Sequence, residues 1–113
     1  MIKDFINTKV TVTMDRKMGD KHPKYDWTYP LNYGEIKGVK SGDGDDLDAY
    51  VIGPEEPLEI FEGKCVAYIE RKDNPEDPKL IVVSKDKEDI TDEEILEVVN
   101  FQEKWFEPVV KRS

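Results

Sequence analysis

The stretch SGDGDDLDAYVIG, residues 41–53, passes from a glycine-rich acidic turn directly into an apolar run. Gly42 and Gly44 mark its first half as loop. Residues 48–53, closed off by Gly53 and Pro54, read as a short strand. Upstream, residues 37–47 carry three glycines and three aspartates and are predicted to be largely loop. Residues 25–36, YDWTYPLNYGEI, are aromatic-rich and interrupted by Pro30 and Gly34, which predicts an irregular or edge strand. Residues 15–24 are polar with Gly19 and Pro23, a loop or hairpin connection. Residues 8–14, TKVTVTM, alternate strictly, with Val10, Val12 and Met14 on one face and Lys9, Thr11 and Thr13 on the other; this is a half-buried strand.

Downstream, residues 64–71 (KCVAYIER) and 79–84 (KLIVVS) are further strands, punctuated by Pro57, Gly63, Asn74, Pro75 and Pro78. The C-terminus carries the single helix expected. Thr91 and Glu94 have capping-box spacing, and acids fill the first turn. Ile95, Val98, Val99, Gln102, Trp105 and Phe106 follow helical spacing, with Trp105 and Phe106 assigned to the core and Pro108 to the helix end. Short strands first and one covering helix last predict a mainly β (α+β) fold, a small closed or partly open antiparallel barrel.

The chain has 113 residues, which suits one domain over 1–113 with a modest core. Charged residues (38%) slightly outnumber hydrophobic ones (37%), leaving enough apolar material for one core only. No run of about 18 apolar residues is present, so no membrane partner is expected. The N-terminus MIKDFINTK lacks a signal-peptide stretch. Cys65 has no internal partner and reads as a buried structural thiol rather than a reactive one; a reducing cytoplasmic location is the expectation. The net charge of −9 and the lack of a basic cluster argue against a nucleic-acid partner.

Asp43, Asp45, Asp46 and Asp48 fall within six positions. Carboxylates this close repel one another by on the order of a few kcal/mol per pair at an intermediate dielectric. Either the turn is simply solvated, or a hard cation relieves it, since Mg²⁺ and Ca²⁺ favour carboxylate oxygens. An EF-hand is excluded: counted from Asp43, the glycine position holds Asp48 and the final glutamate position holds Pro54. Nearby, residues 29–34 supply phenols, and Lys21, Lys24 and Lys79 supply ammonium groups. Asp73, Glu76 and Asp77 form a second acidic loop. Metal, lysine and carboxylate together suit phosphate chemistry, although each lysine alone also reads as a surface charge. His22, before Pro23, reads as structural.

YPLNYG followed by DGDDLD, residues 29–34 and 43–48, resembles the signature of the soluble family I inorganic pyrophosphatases, Tyr-Pro-x-Asn-Tyr-Gly and then Asp-Gly-Asp-Pro-x-Asp. The segment ERKDNPEDPKLIVV resembles that family's second metal loop. The likeness covers roughly residues 9–106. It implies a five-stranded OB-like barrel with helices packed outside. It implies Asp43, Asp48 and Asp77 as metal ligands, with Asp73 near a further acidic ligand. Asp45 becomes the acceptor of a proton from water. Lys79 and Tyr33 become phosphate contacts, Tyr29 lines the site, and Lys21 stands where the family usually has arginine. The implied cofactor is Mg²⁺, two or more ions, with Mn²⁺ as an alternative. The implied partner is pyrophosphate, and homo-oligomers are usual in the family.

The chain also departs from the pattern. It is shorter than typical members. Thr11 and Thr13 stand at the first strand's Lys-x-Glu, Trp105 and Phe106 at the last helix's Tyr-Lys, and Asp46 at the signature proline. Arg16, Lys24, Arg71 and Lys104 are the cations available to replace the missing phosphate contacts. The expected function is Mg²⁺-dependent hydrolysis of inorganic pyrophosphate to two phosphates by direct attack of water. Hydrolysis of an organic or nucleotide diphosphate, and a non-catalytic metal-binding relic, are the alternatives.

Overall fold

A computed structural model describes residues 2–112; Met1 and Ser113, the ends of the expected 1–113 domain, lie outside the described residues. After a 3-10 turn at Ile2–Phe5 come β1 (Lys9–Arg16), β2 (Asn32–Lys40), β3 (Asp46–Ile52), β4 (Ile60–Arg71) and β5 (Asn74–Val83), then helix α1 (Asp92–Glu103) and a short β6 (Pro108–Lys111). The sheet order is β1-β2-β3-β5-β4-β6, and β1 also pairs with β4, so the first five strands close into a ring. This is the small five-stranded barrel with a C-terminal helix that the sequence predicts. β4 is long enough to serve two neighbours along one edge: Ile60–Lys64 pair with β1 and Tyr68–Arg71 with β6.

An odd ring cannot alternate strand direction all the way round, so one seam must be parallel. That seam is β3–β5, with Asp48 opposite Lys79 and Ile52 opposite Val83; the other four pairings of the ring are antiparallel.

Side-chain alternation divides the core in two. Val10, Val12, Ile36, Leu47, Ala49, Val51, Cys65, Leu80 and Val82 come from all five ring strands and fill the interior. Tyr33, Tyr50, Ile52, Ile69, Ile81 and Val83 project from the opposite face and meet Ile95 and Val99 of α1. The helix starts as the capping box requires: Thr91 Oγ1 accepts from the Glu94 amide at 3.2 Å, and the Glu94 carboxylate accepts from the Thr91 amide at 2.9 Å.

Three elements differ from expectation. The strand expected over 25–36 begins at Asn32 and continues to Lys40. Residues 19–29 instead form a small hairpin, closed by the Tyr29 amide on the Asp20 carbonyl (2.8 Å) and the His22 amide on the Trp27 carbonyl (3.0 Å). The expected second acidic loop is mostly strand, because a tight turn at Lys72-Asp73 starts β5 at Asn74. Pro75 and Pro78 fall where the β4–β5 register shifts between Ile69 and Arg71, a place that tolerates a missing donor. Finally, α1 stops at Glu103, before the two aromatics assigned to the core. Trp105 is 55% exposed, and Pro108 opens β6 rather than ending the helix.

Candidate active site

The parallel seam sets the central contact. Asp48 and Lys79 are register partners, and Asp77 lies two residues before Lys79, so alternation turns all three to the same face. The Lys79 ammonium donates to Asp48 Oδ2 and to Asp77 Oδ1, both at 2.6 Å, and Lys79 is only 2% exposed. Burial raises the Asp48 pKa and Asp77 adds to that, while Lys79 and the Tyr33 hydroxyl pull it down. Burial also holds the Tyr33 phenol well above its ordinary range, so it stays protonated and able to donate.

Behind this trio a buried network ties the helix to the barrel. Arg71 makes a bidentate pair with Glu103, Nε to Oε1 at 2.9 Å and NH2 to Oε2 at 2.7 Å. Burial works against the Arg71 charge, but the Glu103 carboxylate more than offsets it. The other guanidinium arm reaches Asp77 at 3.5 Å. The Tyr50 hydroxyl donates to Glu103, Gln102 donates to the Tyr50 oxygen at 2.8 Å, and the Tyr29 hydroxyl donates to Gln102 at 2.8 Å. Glu103 and Gln102, at the end of α1, therefore orient one cation and two phenols. The periodicity of α1 put Gln102 on its inward face; nothing local marked Glu103.

The acidic turn lies beside β5. Gly42 packs on Glu76, where an added Cβ would come within 3.1 Å of the Glu76 Cβ. The two acidic segments are thus neighbours. Within the turn, Asp43 accepts from the Ser41 hydroxyl and the Asp45 amide, which lower its pKa, and it also feels Lys79. The side chain of Asp45 is exposed. Asp46, at the signature proline position, bonds Lys40 at 2.8 Å. Asp73 occupies the exposed turn between β4 and β5. Glu35, opposite Asp48 on β2, is taken by Lys37 at 2.6 Å.

Among the described residues no three carboxylate, imidazole or thiol groups are gathered into a metal cluster. Asp48 and Asp77, however, already converge on one cation, the lysine ammonium. Two carboxylates are what the protein ordinarily offers Mg²⁺, with water and phosphate oxygens completing the shell. In that sense the donor set fits a hard divalent ion.

Lys79 and Tyr33 also line a cavity of about 560 Å³, to which Arg16 and Arg71 add two more cations and Asp15, paired with Arg16 at 3.6 Å, a carboxylate. Tyr29 and Gln102 line it too, and His22, Tyr25, Trp27, Trp105 and Phe106 provide an aromatic wall. Lys21 does not line it; its exposed ammonium faces Asp26 at 3.4 Å on the small hairpin. Arg16, at the end of β1, stands in the cavity instead.

Against known proteins, the family model described as inorganic pyrophosphatase matches residues 6–111. An inorganic pyrophosphatase of Sulfolobus acidocaldarius is 41% identical over 64 residues, 54% of this chain and 37% of that relative. The chain thus aligns with well under half the length of that curated protein. Among solved structures, an inorganic pyrophosphatase from Ehrlichia chaffeensis superposes with a TM-score of 0.68 at 18% identity, covering 91% of this chain and 84% of that one. The Thermus thermophilus inorganic pyrophosphatase gives 0.60 at 20% identity, covering 93% and 80%. At those identities the likeness concerns the fold.

Proposed function

The chain belongs to the inorganic pyrophosphatase family, and from that membership we propose that it hydrolyses inorganic pyrophosphate to two phosphates with Mg²⁺ as cofactor. The observation that carries the reading is the Lys79 ammonium held between Asp48 and Asp77 in the lining of a cavity with Arg16 and Arg71. An anion entering there meets a protonated phenol and three cations already paired with carboxylates, Lys79 with Asp48 and Asp77, Arg71 with Glu103 and Arg16 with Asp15. The carboxylates beside them need divalent ions to coexist with a polyanion.

Asp48 and Asp77 would hold the metal, with Asp43 and Asp73 as outer ligands from the two neighbouring turns. When bound, two or more Mg²⁺ ions, or Mn²⁺, neutralise phosphoryl charge and acidify water. Asp45, exposed at the tip of the turn, takes the proton of the attacking water. Lys79, Arg16 and Arg71 bind the peripheral phosphate oxygens and steady the charge that develops on the leaving phosphate. Tyr33 donates to a phosphate oxygen, and Tyr29, fixed by Gln102, lines the pocket. No covalent intermediate is required. The cytoplasm, where pyrophosphate is produced by biosynthetic reactions, is the fitting location, and a homo-oligomer is in keeping with family habit.

The test is phosphate release from pyrophosphate in Mg²⁺, with and without a chelator, for the protein and for Asp45→Asn. Chelator-sensitive turnover that collapses in the variant is expected. Comparable turnover by the variant removes Asp45 from its role.

A further inference from the structure

His22 reads as structural from its sequence context, and one edge of its ring is. Its Nδ1 accepts the backbone N–H of Lys24 at 3.0 Å and that of Tyr25 at 3.2 Å, which holds the turn of the small hairpin. Turning the ring over would set a carbon edge against those two amides, so its orientation is fixed. A ring nitrogen that accepts carries no proton, and the neutral imidazole therefore keeps its proton on Nε2. Burial and the charges of Arg16 and Lys24 lower the pKa, which favours that neutral form. The Tyr25 and Trp27 rings brace it with centroids at 4.8 Å, and the Tyr29 ring lies 6.2 Å away with planes 10° apart.

The Nε2–H, by contrast, has no partner among the described residues, although His22 lines the same cavity as Tyr33, Lys79 and Arg16. The cations of that cavity are engaged, Lys79 with Asp48 and Asp77, Arg71 with Glu103 and Arg16 with Asp15. A polyanion takes a hydrogen bond from any of them in competition with a carboxylate. The imidazole N–H has no such competitor and brings no charge of its own. We propose that His22 is a further substrate-binding residue: its Nε2–H donates to a phosphate oxygen of pyrophosphate, while its Nδ1 holds the turn that presents it. The assignment rests on the reading above that pyrophosphate binds in this cavity. The ring stays neutral throughout, and no proton is transferred.

His22 is the only histidine of the chain, so its ring signals identify themselves in a long-range proton–nitrogen NMR spectrum. The test is that spectrum for the unaltered protein, alone and then titrated with non-hydrolysable methylenediphosphonate in Mg²⁺, with calorimetry alongside to register binding. The expected result is the Nε2–H tautomer in the free protein. On binding, that proton should move downfield and exchange more slowly, with Nδ1 unprotonated. Binding that leaves the Nε2 signals unmoved overturns this inference and leaves the pyrophosphate reading standing, as does a free ring protonated on Nδ1. Absence of both probe binding and phosphate release overturns the underlying reading and this inference with it. Two variants separate the nitrogens. The Asn side-chain oxygen reaches the Nδ1 position and keeps the turn, whereas the Gln amide nitrogen reaches the Nε2 position and does not. His22→Asn is expected to melt close to the unaltered protein and to raise KM for pyrophosphate roughly fivefold with little change in kcat, as loss of one neutral hydrogen bond does. His22→Gln should melt lower yet show the lower KM of the two. An unchanged KM in His22→Asn beside an impaired His22→Gln is the result of a purely structural histidine and overturns the inference.

Discussion

Asp48 and Lys79 face each other across the one parallel seam of the barrel, and their side chains meet at 2.6 Å. A five-stranded ring must have such a seam, and here it joins a strand that follows an acidic turn to a strand that carries a second aspartate. The Lys79 ammonium separates two carboxylates that otherwise repel. Lys79→Ala is expected to cut pyrophosphate turnover about 100-fold, the usual cost of losing one preorganised charge donor. It also leaves Asp48 and Asp77 without their shared cation, so Mg²⁺ should raise the melting temperature of the variant more than that of the unaltered protein. Thermal melts with and without Mg²⁺ check the second point independently of activity.

Glu103 is fully buried and holds Arg71 by two bonds. Glu103→Ala strands a buried guanidinium and is expected to cost about 3–5 kcal/mol in urea unfolding. With Arg71 no longer steered toward Asp77, KM for pyrophosphate should rise along with the loss of stability. A variant of normal stability would show that the pair does not hold α1 to the barrel.

Alkaline pH tests the interior of the ring. Burial pushes the Cys65 thiol from an ordinary 9.0 up to about 11. The folded protein keeps that proton longer than the unfolded chain does, so stability is full below pH 9 and declines as pH rises from 9 toward 11, by about 1.4 kcal/mol per pH unit. The buried phenols of Tyr33 and Tyr50 are raised as well and add the same sign above pH 10. Urea midpoints at pH 8 and pH 10 should show the fall, and Cys65→Ala should flatten the part of it below pH 10.

Gly34 explains itself through β1. A Cβ there would run into the Thr13 carbonyl and the Met14 Cα. Because the obstacle is backbone within a paired strand, Gly34→Ala is expected to cost upward of about 3 kcal/mol, at the severe end of overpacking. Circular dichroism melts would reveal it, and a melting point within a degree or two of the original would contradict the close approach.

Much of this was legible in the sequence, for identifiable reasons. The alternation of residues 8–14, the apolar run after Asp48 and the Thr91–Glu94 spacing are local signals, and the structure honours each. The closeness of Asp48 to Asp77 followed from family likeness, not from pattern, since it depends on a parallel pairing between strands about thirty residues apart. Trp105 and Phe106 misled because helical spacing continues in the sequence beyond Glu103, where the helix itself stops. Lys21 misled because a hairpin over residues 19–29 turns it toward Asp26, leaving Arg16 to face the cavity. Glu103 carried no signal at all: a buried carboxylate becomes intelligible only once Arg71 and Tyr50 are placed beside it.

The central claim is that Asp48 and Asp77 serve a divalent ion that works on pyrophosphate. The most direct measurement is steady-state phosphate release from pyrophosphate by the unaltered protein and by Asp48→Asn, each in Mg²⁺ and in excess chelator. The expected result is turnover by the unaltered protein that falls to background with chelator, and a loss of at least about 100-fold in the variant. Turnover that ignores the chelator, or that survives in Asp48→Asn, would contradict it.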